Sequence, residues 1–255
     1  YLIESESERF FCKVNQGREA YTMFAAEKKG LEAIAQTKTI ATPKVLLCEP
    51  LERGGLLLME YIEPERATPE EMRVFGHQLA LMHKCTFEKF GWNSNNFIGN
   101  LPQSNKKYSD WTNFYTQERL MPQLKMARDS GRLNTGEIPS EERIFKSCEN
   151  LFPNIEPALL HGDLWSGNYI ISEKGKPYLI DPAAYYGHYE VDLAMTRLFG
   201  GFGNSFYKAH SEIFPETDGG AVRAEIYQLY YLLAHLNLFG DSYKGAVTNI
   251  LNRYF

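Results

Sequence analysis

The chain has 255 residues, 44% hydrophobic and 14% aromatic, enough apolar material for the core of one two-lobed unit or two closely joined domains. Its 27 basic and 32 acidic residues leave a net charge of −5, which gives no electrostatic reason to expect nucleic acid or an anionic membrane as partner. Cys12, Cys48, Cys85 and Cys148 form no C-x-x-C pair and no apolar run nears the roughly 20 residues that span a bilayer, so reduced thiols and a cytoplasmic location are the simplest expectation.

Residues 1–3 and 9–14 read as two strands around a polar turn at 4–8. A start on an apolar strand residue, without methionine or the features of a signal peptide, leads us to expect that an upstream segment is absent. Lys13 sits inside the apolar run Phe10 to Val14, where a charge is costly unless an anion meets it. It is either an edge lysine in water or the strand lysine that holds nucleotide phosphates and pairs with a helix glutamate. The spacing of Phe24, Leu31 and Ile34 predicts that helix over about 21–37, with Glu19, Glu27 and Glu32 as candidate partners.

Residues 45–47 and 56–59 are expected to be strands joined through Glu52-Arg53-Gly54-Gly55, the second running out into Glu60-Tyr61-Ile62. Thr68-Pro69-Glu70-Glu71 supplies an N-cap, a proline and two first-turn acids, and so starts a helix to His83 with Met72, Phe75, Leu79 and Met82 on its core face. His77 and His83 are not spaced as paired ligands on one helical face and read as structural. Residues 87–108 mix Asn, Gly, Ser and Pro with Phe87, Phe90, Trp92, Phe97 and Tyr108, the pattern of an ordered aromatic loop. Helices are predicted over 110–128, kinked or divided at Pro122, and over 141–151.

Residues 159–182 carry the chemistry. Tyr169-Ile170-Ile171 and Tyr178-Leu179-Ile180, joined at Lys174-Gly175-Lys176-Pro177, read as a hairpin. Asp163 and Asn168 lie on the loop entering it and Asp181 just beyond its end. The Asp163 to Asn168 separation is that of the kinase pattern H-R-D-x-x-x-x-N, and Asp181 falls where a D-F-G aspartate would. Read singly, each is an ordinary turn or cap residue. Together they suit phosphoryl transfer: Asp163 accepts the substrate's hydroxyl proton, while Asn168 and Asp181 offer hard oxygens to Mg2+ on the phosphates of ATP. After Asp181 a helix is predicted over 190–199, too soon for a long activation segment, and no A-P-E follows, which disfavours a Ser/Thr/Tyr kinase. Asp192 either holds the catalytic loop or is a plain helix N-terminal acid. Aromatic, leucine-rich helices over about 221–239 and 243–254 close the core.

His-Gly-Asp-Leu-Trp-Ser-Gly-Asn at 161 to 168, Ile-Asp-Pro at 180 to 182 and Tyr-Gly-His-Tyr-Glu at 186 to 190 closely resemble the fructosamine kinase (ketosamine-3-kinase) family, within the aminoglycoside-phosphotransferase-like kinases. The likeness extends through residues 90–99 and 110–115 to 199–202. It implies an α+β, bilobal protein-kinase-like fold, with a small β-rich N-lobe over 1–62 and a larger, mainly helical C-lobe over 63–255. It implies Glu27 as partner of Lys13, adenine against the main chain of Met59, Glu60, Tyr61 and Ile62, and a glycine-containing phosphate loop before residue 1. Trp165 offers an aromatic face to a sugar ring or protonated amine, and the resemblance sets it on the substrate wall, with His161, Tyr186 and His188 beside it. The implied activity is ATP-dependent phosphorylation of the 3-hydroxyl of a ketosamine, fructosamine or ribulosamine, free or on protein lysines, which promotes deglycation. Alternatives are an aminoglycoside, choline or other amino alcohol as acceptor, or a non-catalytic nucleotide-binding pseudokinase. The sequence does not speak to oligomeric state.

Overall fold

The computed structural model describes residues 1–6, 8–152 and 154–255; Ser7, in the expected turn at 4–8, lies outside them. The N-terminal part is built from β1 (Leu2–Glu4), β2 (Arg9–Gln16), α1 (Ala20–Gln36), β3 (Val45–Leu51) and β4 (Gly54–Glu60). The strands form an antiparallel sheet in the order β1-β2-β4-β3. Lys13 pairs with Leu57 and Phe11 with Met59 across β2 and β4. Residues directly opposed across strands share a face, so Lys13 lies on the face where Leu57 and Met59 pack against Phe24 and Leu31 of α1. Glu27 sits between those two residues on the same helical stripe. A lysine and a glutamate on two packed apolar surfaces are thereby turned toward each other.

The β3–β4 turn is tighter than the sequence suggests. Glu52 and Arg53 make it alone, and Gly54 and Gly55 belong to β4. A Cβ on Gly54 would stand 2.0 Å from the Asn15 carbonyl oxygen, and one on Gly55 2.7 Å from the Tyr21 backbone. These glycines admit neighbouring backbone rather than turning the chain.

The second part is mainly helical. It begins with α2 (Pro69–His83), whose capping box joins Thr68 and Glu71 in both directions. A two-stranded hairpin follows, β5 (Asn96–Ile98) and β6 (Leu101–Gln103), inside the stretch expected to be loop. The predicted helix over 110–128 is three pieces: α3 (Trp111–Tyr115), a π-helical turn (Thr116–Leu120) and α4 (Met121–Asp129). Pro122 lies in the first turn of α4, where its missing N–H costs nothing. The widened turn before it takes up the break, with the Met121 N–H reaching back to the Thr116 carbonyl.

After α5 (Glu141–Leu151) come four short strands, β7 (Ala158–Leu160), β8 (Tyr169–Ile171), β9 (Pro177–Leu179) and β10 (Tyr185–Gly187). β8 and β9 form the predicted hairpin, with Tyr169 opposite Leu179, while β10 returns onto β7 with Tyr185 opposite Leu160. This return, unseen in the sequence, lays the loops 161–168 and 180–184 side by side. The chain closes with α6 (Glu190–Leu198), α7 (Asn204–Ser211), α8 (Gly220–Phe239) and α9 (Lys244–Tyr254). Helix α8 threads the largest core cluster, contributing Ile226, Tyr227, Tyr230 and Tyr231. Among the described residues no helix is long and apolar enough to cross a membrane.

Phe75 of α2 is fully buried and its ring meets those of Tyr169, Phe202 and Phe206 within 6 Å, tying the hairpin to α2 and α7. Phe75→Ala is expected to lower unfolding free energy by about 3–5 kcal/mol, read by urea denaturation.

Candidate active site

Asp163, Asn168 and Asp181 converge on one cavity of about 320 Å3, whose wall also includes Lys13, Glu27, Trp165 and Asn96. The Asn168 amide nitrogen donates to the Asp163 carbonyl at 2.8 Å and to its carboxylate Oδ2 at 3.3 Å. The Ile180 N–H donates to the Asn168 carbonyl at 3.1 Å, drawing Asp181 toward the same end of the hairpin. Asp181 has φ +54°, one of two non-glycine residues in the left-handed region among the described residues. Aspartate is among the few residues that tolerate that region. Its carboxylate meets the Lys13 ammonium, which also donates to Glu27 Oε1 at 2.8 Å. Of the three glutamates the residues alone left open, Glu27 is the one that reaches Lys13; Glu32 faces Lys28 and Glu19 precedes α1. Burial pushes the Glu27 carboxyl above its ordinary range, and Lys13 opposes that rise.

The loop carrying Asp163 is fixed from beneath. Asp192, fully buried, accepts the Gly162 N–H on Oδ1 at 2.8 Å and the His161 N–H on Oδ2 at 2.7 Å. Gly162 has φ +83°, and a Cβ there would sit 2.2 Å from the Ala183 carbonyl oxygen, so only glycine lets the two loops approach this closely. His161 clamps them too: its Nε2 donates to the Ile180 carbonyl at 2.8 Å, and its Nδ1 accepts the Asp163 N–H at 3.2 Å.

Part of Asp163 faces the cavity, yet protein surrounds most of the carboxyl, and this desolvation raises its pKa to about 7. The Asn168 hydrogen bond works downward and the nearby Asp192 charge upward. A carboxyl so placed is half-ionised near neutrality, as a general base should be.

A second cavity, of about 210 Å3, adjoins the first through Lys13 and Asp181. Phe11, Met59, Ile170 and Ile180 line it, with the strand exit Glu60, Tyr61 and Ile62 along its edge. Neither Tyr61 nor Ile62 spends its peptide N–H or C=O on another described residue. An apolar slot with free backbone donors and acceptors at its rim can take a flat heteroaromatic ring.

The whole chain, residues 1–255, matches the family profile described as fructosamine kinase. It is similar to a protein-ribulosamine 3-kinase, chloroplastic, of Arabidopsis thaliana, at 39% identity covering 98% of this chain and 77% of that protein. A probable ketoamine kinase of Enterococcus faecium is 38% identical over 100% of this chain and 90% of its own length. The crystal structure of a Haemophilus somnus protein assigned as a fructosamine-3-kinase superposes with a TM-score of 0.90 at 28% identity, over 100% of this chain and 86% of that one. The chain belongs to the fructosamine kinase family. It is therefore a kinase, transferring phosphate to a hydroxyl oxygen. A choline kinase from Streptococcus pneumoniae, with a TM-score of 0.65 at 17% identity over 100% of this chain and 90% of that one, shares the fold alone.

Within this fructosamine kinase family member, three residues expected on the substrate wall stand elsewhere. His161 is fully buried with both ring nitrogens spent, so it offers no surface to a substrate. Tyr186 stacks on Phe87 at 5.0 Å and borders a separate 610 Å3 cavity beside the C-terminal half of α1. His188 is buried against the Tyr227 hydroxyl at 2.8 Å, and burial lowers its pKa to about 3, so it is a neutral core residue. Trp165 does line the cavity, and is 40% exposed. Sequence reasoning missed Asn96, because nothing in an asparagine-rich loop marks which side chain turns inward. It read His83 as structural but not its partner; its Nε2 donates to Asp192 at 3.1 Å, a pairing across 109 residues that no local pattern reveals.

If Asp163 is the base, kcat/KM should rise with pH through about 7 and level off above, because only the ionised carboxylate accepts a proton. Stability runs the other way. The raised pKa means the folded state pays for ionising this group as pH climbs from the unfolded value toward 7. Asp163→Asn is expected to melt higher than the parent at pH 8 and equally near pH 3, read by thermal denaturation.

Proposed function

We propose that the protein is an ATP-dependent ketosamine kinase, acting on the 3-hydroxyl of a fructosamine- or ribulosamine-type adduct, free or on a protein lysine. The observation that carries the reading is the Asp163 carboxyl, its pKa brought to about 7, in one cavity with Asn168, Asp181 and Trp165. The acceptor class is supported by the relatives named ketoamine kinase and protein-ribulosamine 3-kinase.

Adenine occupies the slot edged by Met59 to Ile62, which directs the triphosphate toward Lys13. Lys13, held by Glu27, orients the phosphates. Asn168 and Asp181 are the residues that would hold magnesium. The donor set fits: Asn168 spends its amide nitrogen on Asp163, which leaves its oxygen without a donor among the described residues, Asp181 lines the same cavity, and both are hard donors. Magnesium supplies neutralisation of phosphate charge when bound. Asp163 orients the acceptor hydroxyl and takes its proton as the oxygen bonds to the γ-phosphorus. The bond from that phosphorus to the β-bridging oxygen breaks, and ADP leaves with the electron pair. The exposed face of Trp165 is a platform for the sugar and the cationic amine.

Asp163→Asn should lower kcat by roughly 10²–10⁴-fold while the ATP-induced thermal shift is retained. A glycated-lysine peptide, an aminoglycoside and choline, each incubated with ATP and read by mass spectrometry, test the acceptor. Phosphate on the glycated peptide is expected; phosphate confined to the antibiotic or choline rejects the ketosamine assignment.

A further inference from the structure

We propose that Asn96 binds a neutral oxygen of the substrate neighbouring the reacting hydroxyl, and that the buried Arg119 sets the polarity of the hydrogen-bond chain that aims it. This rests on the ketosamine reading.

Arg119 is fully buried, and among the described residues no carboxylate pairs with it. Its charge is met by the Ser104 carbonyl at 2.6 Å, the Glu118 carbonyl at 3.0 Å, Asn105 Oδ1 at 2.6 Å, and the rings of Tyr185 and Phe114 at 4.0 and 4.6 Å. A guanidinium only donates. Asn105 must therefore give it the amide oxygen and turn its nitrogen outward. That nitrogen donates to the Ser94 carbonyl at 3.2 Å and to Asn96 Oδ1 at 2.8 Å. Gln103 Nε2 donates to the same Asn96 oxygen at 2.7 Å, while Gln103 Oε1 accepts from the Tyr230 hydroxyl. Asn96 Oδ1 is thus saturated by two donors, and its nitrogen faces the other way, donating to the Ala184 carbonyl at 2.9 Å.

The hydrogens can be counted. Both on Asn105 Nδ2 are used, and Gln103 Nε2 spends its pair on Asn96 and the Ala183 carbonyl. Asn96 Nδ2 has two and uses one. Asn96 is 6% exposed and lines the cavity shared with Asp163 and Trp165. A buried amide hydrogen without a protein acceptor, in a side chain that cannot flip without setting its oxygen against the Ala184 carbonyl, recognises an oxygen acceptor and not a cation. A hydroxyl or ring oxygen of a polyol answers that description. Arg119 touches no substrate; it is a positioning residue acting through Asn105.

The test compares a ketosamine with analogues deoxygenated at one carbon at a time, away from the phosphorylated position, on the full-length protein. The parent enzyme is expected to lose about tenfold in kcat/KM on one analogue, in line with one hydrogen bond between neutral groups. Asn96→Asp and Asn96→Ala should each bring the ratio between ketosamine and that analogue to within about twofold of unity, with KM for ATP unchanged. Arg119→Lys should shrink the same ratio, which a merely structural role would not move. The inference is overturned if the parent enzyme treats every analogue alike, or if folded Asn96→Ala, certified by its ATP-induced thermal shift, keeps the parent's discrimination. Failure of the parent enzyme to phosphorylate any ketosamine sinks the ketosamine reading itself, a separate outcome read without any variant.

Discussion

One buried carboxylate decides where the chemistry can happen. Asp192 gathers two consecutive peptide N–H groups, those of His161 and Gly162, and the Nε2 of His83. Three donors satisfy a charge that would otherwise be prohibitive at full burial. The two peptide bonds also fix the direction in which the chain leaves β7, and with it the side on which the next residue, Asp163, presents its carboxyl. His83 ends α2, Asp192 lies on α6, and His210 of α7 meets His83 Nδ1 at 3.0 Å. Burial lowers the His210 pKa to about 2, so a neutral imidazole occupies that junction. The loop carrying Asp163 is anchored where three helices meet, which gives it the rigidity of the core.

The hairpin is held as firmly from above. The Leu179 N–H donates to the Ala41 carbonyl at 2.9 Å and the Glu65 N–H to the Ile171 carbonyl at 2.8 Å, so β8 and β9 are bonded both to the segment after α1 and to the segment leaving the sheet. Lys13 adds the last link, touching Glu27 of α1 and Asp181 beyond β9. One side chain thereby joins sheet, helix and hairpin. Any change that draws Lys13 toward phosphate must alter its hold on Asp181, coupling the nucleotide's position to that of the hairpin end. The left-handed backbone of Asp181 persists because its neighbour is bound on both sides, Ile180 donating to Asn168 and accepting from His161.

What could be read in the sequence follows the range of the interactions involved. The start of α2, the β8–β9 hairpin and the stripe of α1 rest on local rules of capping, alternation and helical spacing, and they lie where those rules put them. The spacing of Asp163, Asn168 and Asp181 was legible because one hairpin sets it. The β7–β10 pairing was not, since three-residue strands 25 residues apart carry no periodicity of their own. Gly54-Gly55 misled because a glycine pair admits either a turn or a close backbone approach, and only the position of Tyr21 tells which. His161, Tyr186 and His188 were set on the substrate wall beside Trp165 by the family resemblance, which carries no information on burial. Strand β10 instead carries Tyr186 to a separate cavity, and burial claims the two histidines.

Asp192 also reaches the reaction through its charge. Burial does most to raise the pKa of Asp163, the Asn168 hydrogen bond to the same carboxylate works against that rise, and the Asp192 charge adds a smaller upward push to the proposed base it positions. A site selected for basicity alone would have no use for the amide. Phosphoryl transfer runs through a loose transition state in which bond formation by the incoming oxygen is little advanced, so most of the catalysis comes from placing that oxygen in line rather than from removing its proton. An arrangement that gives up some basicity to hold the carboxylate in one orientation is what such a reaction favours. It also accounts for the burial of so much polar structure beneath the carboxylate proposed to remove a single proton.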